Sequence, residues 1–299
     1  MNTFYFAARY NKANMASLNL DTNKLNLNNK SIIFEGNSPI TDSHKEILKN
    51  YEVLYICHNF NQSLDGLPNN IKAIRYNMTN SGMRIRACSC TTMNVANMEF
   101  DFNQPLDNLH YGLEYLELYG NNVFELRNLP ISLKYLVIYW STTNIDILKY
   151  LPESLEVLYL SYIELHYEGI INLPRGLKEL YLNAGINGRL QDLPDGLKVL
   201  YINGSYTQLN KFIELPPRLE TFIFYDSEWQ NENKHIIKWL FKNKKMPTGL
   251  RKCVFPLHYA DIYCELKIYA AEFITSEKIE WKFIDYTTDL ISHIKDKYK

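Results

Sequence analysis

Glycine is scarce in this sequence, at 12 of 299 residues, and the ligand loops that depend on it are missing. There is no phosphate loop, no dinucleotide-binding glycine fingerprint, no Gly-x-Ser-x-Gly elbow and no zinc-protease motif. Cysteine is scarce too. The five are Cys57, Cys88, Cys90, Cys253 and Cys264. An odd and sparse set is not a disulfide framework, and it implies a reducing, cytoplasmic setting. Cys88-Ser-Cys90, with Cys57-His58, is the one candidate zinc cluster. Its spacing matches no known ligand pattern, and small buried cysteines are the simpler reading. Neither sign of charge dominates. The 32 basic and 33 acidic residues leave a formal charge of -1, so no global field draws the chain to nucleic acid or an anionic membrane. No apolar run approaches the roughly 20 residues a membrane span needs. Arg9 and Lys12 interrupt the first 16 residues, so no signal peptide is expected. The seven histidines are scattered, and no nucleophile–base constellation can be proposed from spacing. What remains is a globular composition, 46% hydrophobic and 22% charged.

A repeat fills most of the chain. Leu-Pro pairs stand at Leu67-Pro68, Leu129-Pro130, Leu151-Pro152, Leu173-Pro174, Leu193-Pro194 and Leu215-Pro216, with Leu109-His110 as a variant. From Leu109 the steps are 20, 22, 22, 20 and 22 residues, and the 42 residues from Leu67 to Leu109 read as two steps. After each pair comes L-x-x-L-x-L or a variant, beginning at Ile71, Leu113, Leu133, Leu155, Leu177, Leu197 and Leu219. Weaker copies run from Tyr51 to Ile56, Cys90 to Val95 and Leu250 to Phe255, and the weakest from Ser31 to Gly36. A period of about 20 to 29 residues with this pattern belongs to the leucine-rich-repeat class. The fourth and sixth positions of each copy alternate inward from a short strand, and the first packs beneath them. The proline leads into the strand where its missing N–H is not needed. One unit cannot bury its apolar side alone, but stacked units can. The expected fold is therefore a repeat solenoid, a leucine-rich-repeat-like horseshoe with about eleven strands in one parallel β-sheet, and a period this short predicts an irregular or 3-10 convex side.

Two segments narrow the repeat type. Phe60-Asn-Gln-Ser-Leu64 precedes Gly66-Leu67-Pro68, and Phe102-Asn-Gln-Pro-Leu106 precedes Leu109-His110. With the following L-x-x-L-x-L, the stretch from Tyr51 to Phe224 resembles the FNIP-repeat family, a short leucine-rich-repeat variant of social amoebae and of large DNA viruses that infect amoebae. The copies starting at Leu133, Leu155, Leu177 and Leu197 keep Leu-Pro-x-x-Leu but lack Phe-Asn. Bacterial effector-type repeats with Leu-Pro ends are the nearest competitor. The resemblance implies an interaction module, and a virus-encoded one is among the sources it implies. Some viral members carry an F-box, and none is evident before Ser31.

The ends depart from the pattern, as capping units must. Residues 1–30 read as an N-terminal cap, residues 31–258 as the repeats and residues 259–299 as a C-terminal cap. Thr41 to Asn50 predicts a short helix capped by Asp42 or Ser43. The step from Leu219 to Leu250 is 31 residues, and the extra length at about 227–245 predicts a helical insertion through Trp229, Ile236, Ile237, Leu240 and Phe241. Lys242, Lys244 and Lys245 follow it, as suits a helix C-terminus. Within the C-terminal cap, Tyr259 to Thr275 predicts a helix, Ile279 to Ile284 a strand, and Thr287 to Lys299 a closing helix.

The third, fifth and seventh positions of each copy point away from the core. They are rich in tyrosine, namely Tyr55, Tyr115, Tyr119, Tyr135, Tyr139, Tyr159, Tyr181, Tyr201 and Tyr225. Tyrosine combines apolar area, a polar tip and little rotamer entropy, which suits a partner-binding face. It also suits strands, where rings stack along a ladder without any ligand. Aromatic platforms bind single-stranded nucleic acid only with a positive groove, and Glu117 and Glu179 oppose Arg75 here. The expected function is a non-enzymatic protein–protein interaction scaffold, without cofactor or metal, binding a protein partner through the concave face. The alternatives are a self-assembling structural or virion component and a substrate adaptor for a ubiquitin ligase.

Overall fold

Each repeat opens with a turn whose hydrogen bond can be traced to two residue types. In the computed structural model of the protein, the proline carbonyl of a Pro-x-x-Leu segment accepts the N–H of the leucine three residues on. Leu133 bonds Pro130, Leu155 bonds Pro152, Leu177 bonds Pro174, Leu197 bonds Pro194 and Leu219 bonds Pro216, all at 3.0–3.1 Å. Ile71 and Pro68 do the same at 3.0 Å. Proline's fixed φ favours the turn, and its missing N–H is not required. Leu250 closes on Pro247 at 3.0 Å. There Met246 fills the buried leucine slot, so a pattern built on Leu-Pro passes this turn over.

The structure describes residues 31–34, 37–57, 60–77, 102–119, 126–139, 150–165, 173–186, 192–203, 214–225, 232–243, 246–271 and 279–284. The strands are β1 (Ser31–Phe34), β2 (Val53–Cys57), β3 (Ala73–Asn77), β4 (Tyr115–Tyr119), β5 (Tyr135–Tyr139) and β6 (Val157–Leu165). They continue as β7 (Glu179–Ile186), β8 (Val199–Asn203), β9 (Thr221–Tyr225), β10 (Lys252–Pro256) and β11 (Glu280–Ile284). All eleven form one sheet in strict chain order, with every neighbouring pair parallel. Parallel strands one repeat apart, joined in sequence order, make a leucine-rich-repeat-like solenoid. The first-position residues Ile71, Leu113, Leu133, Leu155, Leu177, Leu197 and Leu219 are fully buried, as are the fourth and sixth positions from Leu54 and Ile56 to Phe222 and Phe224.

The strand expected from Cys90 to Val95 lies outside the described residues. β3 lies directly beside β4, with Ala73 opposite Tyr115 and Ile74 opposite Leu116, so the 42 residues from Leu67 to Leu109 span a single step of the sheet. Two further contacts cross the same junction. Lys72 carbonyl accepts the N–H groups of Glu114 and Tyr115, and the Asn61 side chain accepts the Asn103 N–H at 3.0 Å. The Phe-Asn-Gln segments thus stack on each other. Phe60 and Phe102 fill the core, and Asn61 caps the next turn's backbone. Asn37, which no motif pointed to, starts this ladder by accepting the Asn61 N–H at 2.7 Å.

The short helix α1 (Asp42–Leu48) is capped by Thr41 rather than Asp42 or Ser43. The side chain of Thr41 accepts the His44 N–H, and the His44 ring returns the bond. The reciprocal box needs a residue three places after the cap, and His44 supplies it. At the other end α2 (Glu232–Asn243) buries Ile237, Leu240 and Phe241. The cap helix expected from Tyr259 is split. A 3-10 turn (Leu257–Ile262) leads into α3 (Tyr263–Ala271). Lys234 and Lys238 of α2 pair with Asp261 and Glu265 at 2.9 and 2.7 Å, tying the insertion to the cap. The expected caps over residues 1–30 and 287–299 lie outside the described residues, as do most segments opposite the strands, where the irregular convex side was expected. No described helix is long and apolar enough to cross a membrane.

Candidate functional site

Exposure divides the nine tyrosines. Tyr115, Tyr159, Tyr181, Tyr201 and Tyr225 are buried, with Tyr181 only 1% and Tyr159 and Tyr201 3% exposed. Tyr55 and Tyr135 are partly buried. The side chains of Tyr119 and Tyr139 lie outside the described set, although their backbones belong to β4 and β5. The buried rings are in contact along the sheet. Tyr159 faces Tyr181 and Tyr181 faces Tyr201 at the same strand position, with ring centroids 6.2 Å apart in both pairs. Tyr115 and Tyr135 lie 6.0 Å apart. Their neighbours Val137, Val157, Val199 and Ile223 are buried as well. The central strands are therefore covered on both faces, as parallel strands commonly are. The phenol of Tyr181 donates to Glu179 at 2.8 Å, which satisfies its polar tip inside this layer.

A charged cluster interrupts the row at β3 and β4. Arg75 Nε lies 3.3 Å from Glu117 Oε2, and Tyr115 donates to the same oxygen at 3.3 Å. The Arg75 guanidinium also sits over the Tyr115 ring at 5.0 Å and the Tyr55 ring at 5.9 Å. Both charged residues are buried, at 8% and 7% exposure. Burial alone would lower the Arg75 pKa, but Tyr115, Glu117 and Tyr55 outweigh it and the net shift is upward. Burial, reinforced by Glu117, pushes the Tyr115 phenol well up, so it stays a neutral donor. Arg75 and Glu117 thus serve each other, and neither is free charge on an open surface. Cys253 is equally inert, because burial raises its thiol pKa far above the ordinary value. The zinc candidates Cys57, His58, Cys88 and Cys90 have no described side chains. No group of three or more His, Cys, Asp or Glu residues able to hold a metal occurs among the described residues.

Two surface rows escaped the sequence pattern. The residue after the first position reads Glu52, Lys72, Glu114, Lys134, Glu156, Lys178, Lys198, Glu220, Arg251 and Glu280. The carbonyl of each accepts a backbone N–H from the next, from Lys72 on Glu52 to Glu280 on Arg251. Ion pairs bridge Glu114–Lys134 and Glu156–Lys178 at 2.8 Å and Lys198–Glu220 at 3.0 Å. The alternation was present in the sequence, but attention to apolar positions hides it. The second row follows the turn proline. In most repeats it is polar, with Asn69, Glu153, Arg175, Asp195 and Thr248, yet two adjacent repeats place Tyr111 and Ile131 there at 80% and 76% exposure. Tyr150 of the next repeat is also exposed, and the Arg127 guanidinium lies 5.6 Å from its ring centroid.

No family model and no curated protein matches this chain. Among solved structures it is similar to CroV588, described as a novel circular leucine-rich-repeat protein. The two share 20% identity with a TM-score of 0.44, over 76% of this chain and 37% of that chain. The chain thus matches little more than a third of the length of that protein.

Proposed function

We propose that this chain is a non-enzymatic scaffold of FNIP-type repeats that binds a protein partner. The Phe-Asn-Gln turns support the repeat type, because their phenylalanines fill the core and Asn61 of the first caps the backbone of the second. The observation that carries the binding reading is the exposed pair Tyr111 and Ile131. The fold asks nothing large and apolar of this turn position, since five other repeats fill it with polar or charged residues and one with Pro217. Aromatic and branched side chains held in water on a rigid ridge are recognition groups in the interface sense. Tyr55 and Tyr135, the described sheet-face tyrosines that keep some exposure, offer a second contact surface.

The test is a pull-down from amoebal lysate with three forms of the full chain. These are the unaltered protein, a Tyr111→Ser/Ile131→Ser variant and a Tyr55→Ser/Tyr135→Ser variant. Exposed positions such as Tyr111 change stability by only about 0.5 kcal/mol, so the ridge variant should fold normally. A partner lost from the ridge variant alone places binding on the turns, and one lost from the other variant alone places it on the sheet face. A partner retained by both eliminates these surfaces. No partner, together with homo-oligomers in light scattering, would favour a self-assembling structural role. Co-purified cullin-ligase subunits would favour an adaptor role.

A further inference from the structure

Seven turns of the solenoid close on a proline carbonyl, at Pro68, Pro130, Pro152, Pro174, Pro194, Pro216 and Pro247. Among the described turns two do not. The turn into β2 closes on Leu48, at the end of α1, and the turn into β4 closes on His110. At the second, His110 Nδ1 accepts the Gly112 N–H at 3.1 Å. Neutral imidazole has one acceptor nitrogen, and imidazolium has none. The bond from Gly112 therefore exists only while the His110 ring is deprotonated.

The surroundings of His110 leave little room for another arrangement. A Cβ at Gly112 would stand 2.7 Å from the Asn69 carbonyl and 3.2 Å from His110 Nδ1, so the turn is stacked tightly on the preceding repeat. The closing bond Leu113 to His110 is 3.3 Å, longer than at any proline turn. No charged side chain compensates. Burial depresses the pKa of the ring and only the Ile71 backbone acts against it. The ionisable groups on the flanking segments are Asp107, Tyr111 and Glu114 on its own repeat, Asp65 and Lys72 on the preceding one, and Arg127 and Lys134 on the following one, where Lys134 pairs with Glu114 at 2.8 Å. Asp65 and Asp107 already accept the Asn108 and Asn128 amides.

We propose that His110 makes the β3–β4 junction of the solenoid acid-sensitive, so that it opens as the ring protonates while the proline-closed repeats from β5 onward stay folded. Nearest-neighbour stacking permits such local opening, because each repeat leans only on the next. The direction follows from His110. Its folded pKa lies below the ordinary histidine value, so the unfolded state takes up the proton first. The contribution to stability is complete above about pH 6.5 and is lost as pH falls below that value.

Hydrogen exchange by mass spectrometry on the full chain, at pH 7.5 and 5.5 with intrinsic rates corrected, tests this. The expected result is a loss of protection in Ala73–Asn77 and Tyr115–Tyr119 of up to about tenfold for the pH unit below about 6.5. The strands from Val157 to Tyr225 should keep theirs. A His110→Pro variant should hold its protection at both pH values, since proline is what the other turns use and it does not titrate. If that variant folds poorly, His110→Asn, whose amide oxygen can accept the Gly112 N–H without titrating, should still remove the acid effect at Tyr115–Tyr119. Equal acid sensitivity in the variants, or uniform loss along all strands of the unaltered protein, would overturn the proposal.

Discussion

The residue before each first position shows how closely the turns stack. It is serine at Ser132 and Ser154, whose hydroxyls donate to the first-position carbonyls of the preceding repeats at 2.7 and 2.8 Å. It is glycine at Gly112, Gly176, Gly196 and Gly249. A Cβ on Gly176 would meet the Glu153 carbonyl at 2.7 Å, whereas one on Gly196 would meet nothing closer than 3.8 Å. The same substitution should therefore act differently at the two sites. Gly176→Ala forces backbone apart and should cost about 1–3 kcal/mol. Gly196→Ala has room and should be neutral or stabilise by up to about 1 kcal/mol through the unfolded chain. Urea midpoints of the two variants check this, and equal shifts would mean that turn stacking does not select the glycine.

At the level of elements, the strands are joined by more than their ladder. The row of alternating acidic and basic residues crosses the stack beside the strand entrances. Its ion pairs are about a third to a half exposed, with Lys178 at 50% and Glu156 at 34% by side chain. Exposed pairs of this kind contribute only about 0.2–1 kcal/mol each, so the row tunes the fold and does not hold it. Glu156→Lys sets like charges against Lys178. It should lower stability by no more than about 1 kcal/mol in low salt, and the deficit should shrink as screening rises. Thermal melts at two salt concentrations measure this. A salt-independent loss would show that Glu156 acts through packing instead. Against this small effect stands the apolar ladder, in which the first, fourth and sixth positions are sealed from water in every central repeat.

Across the whole molecule, a solenoid must close its exposed end. Here Phe255 of β10 forms the closing centre. Its ring lies 6.1–6.2 Å from those of Phe222, Phe241, Tyr259, Trp281 and Phe283. It thereby joins β9, α2, the cap and β11. Phe255→Ala should cost about 3–5 kcal/mol. Because neighbouring repeats contribute separately, the loss should fall on the C-terminal end. An unfolding curve with a new early step, and hydrogen exchange raised only from β9 onward, are the expected readings. A single cooperative transition shifted as a whole would contradict independent capping.

Much of this architecture is local and could be read from the chain alone. Leu-Pro-x-x-Leu places a turn because its hydrogen bond spans three residues, and L-x-x-L-x-L places a strand because side chains alternate. The weak copies at Ser31 and Leu250 were legible for the same reason, and they form β1 and β10. Three features needed the folded molecule. Strand pairing is non-local, so nothing in Cys90 to Val95 announced that β3 would pair with β4 directly. Side-chain direction is local, but solvent exposure depends on what lies over a face. Alternation therefore put Tyr159, Tyr181 and Tyr201 on the outer side, while only tertiary packing buried them. Tyr111, by contrast, belongs to no position of the apolar pattern. Its exposure became visible only once the stack fixed which way the turn row faces.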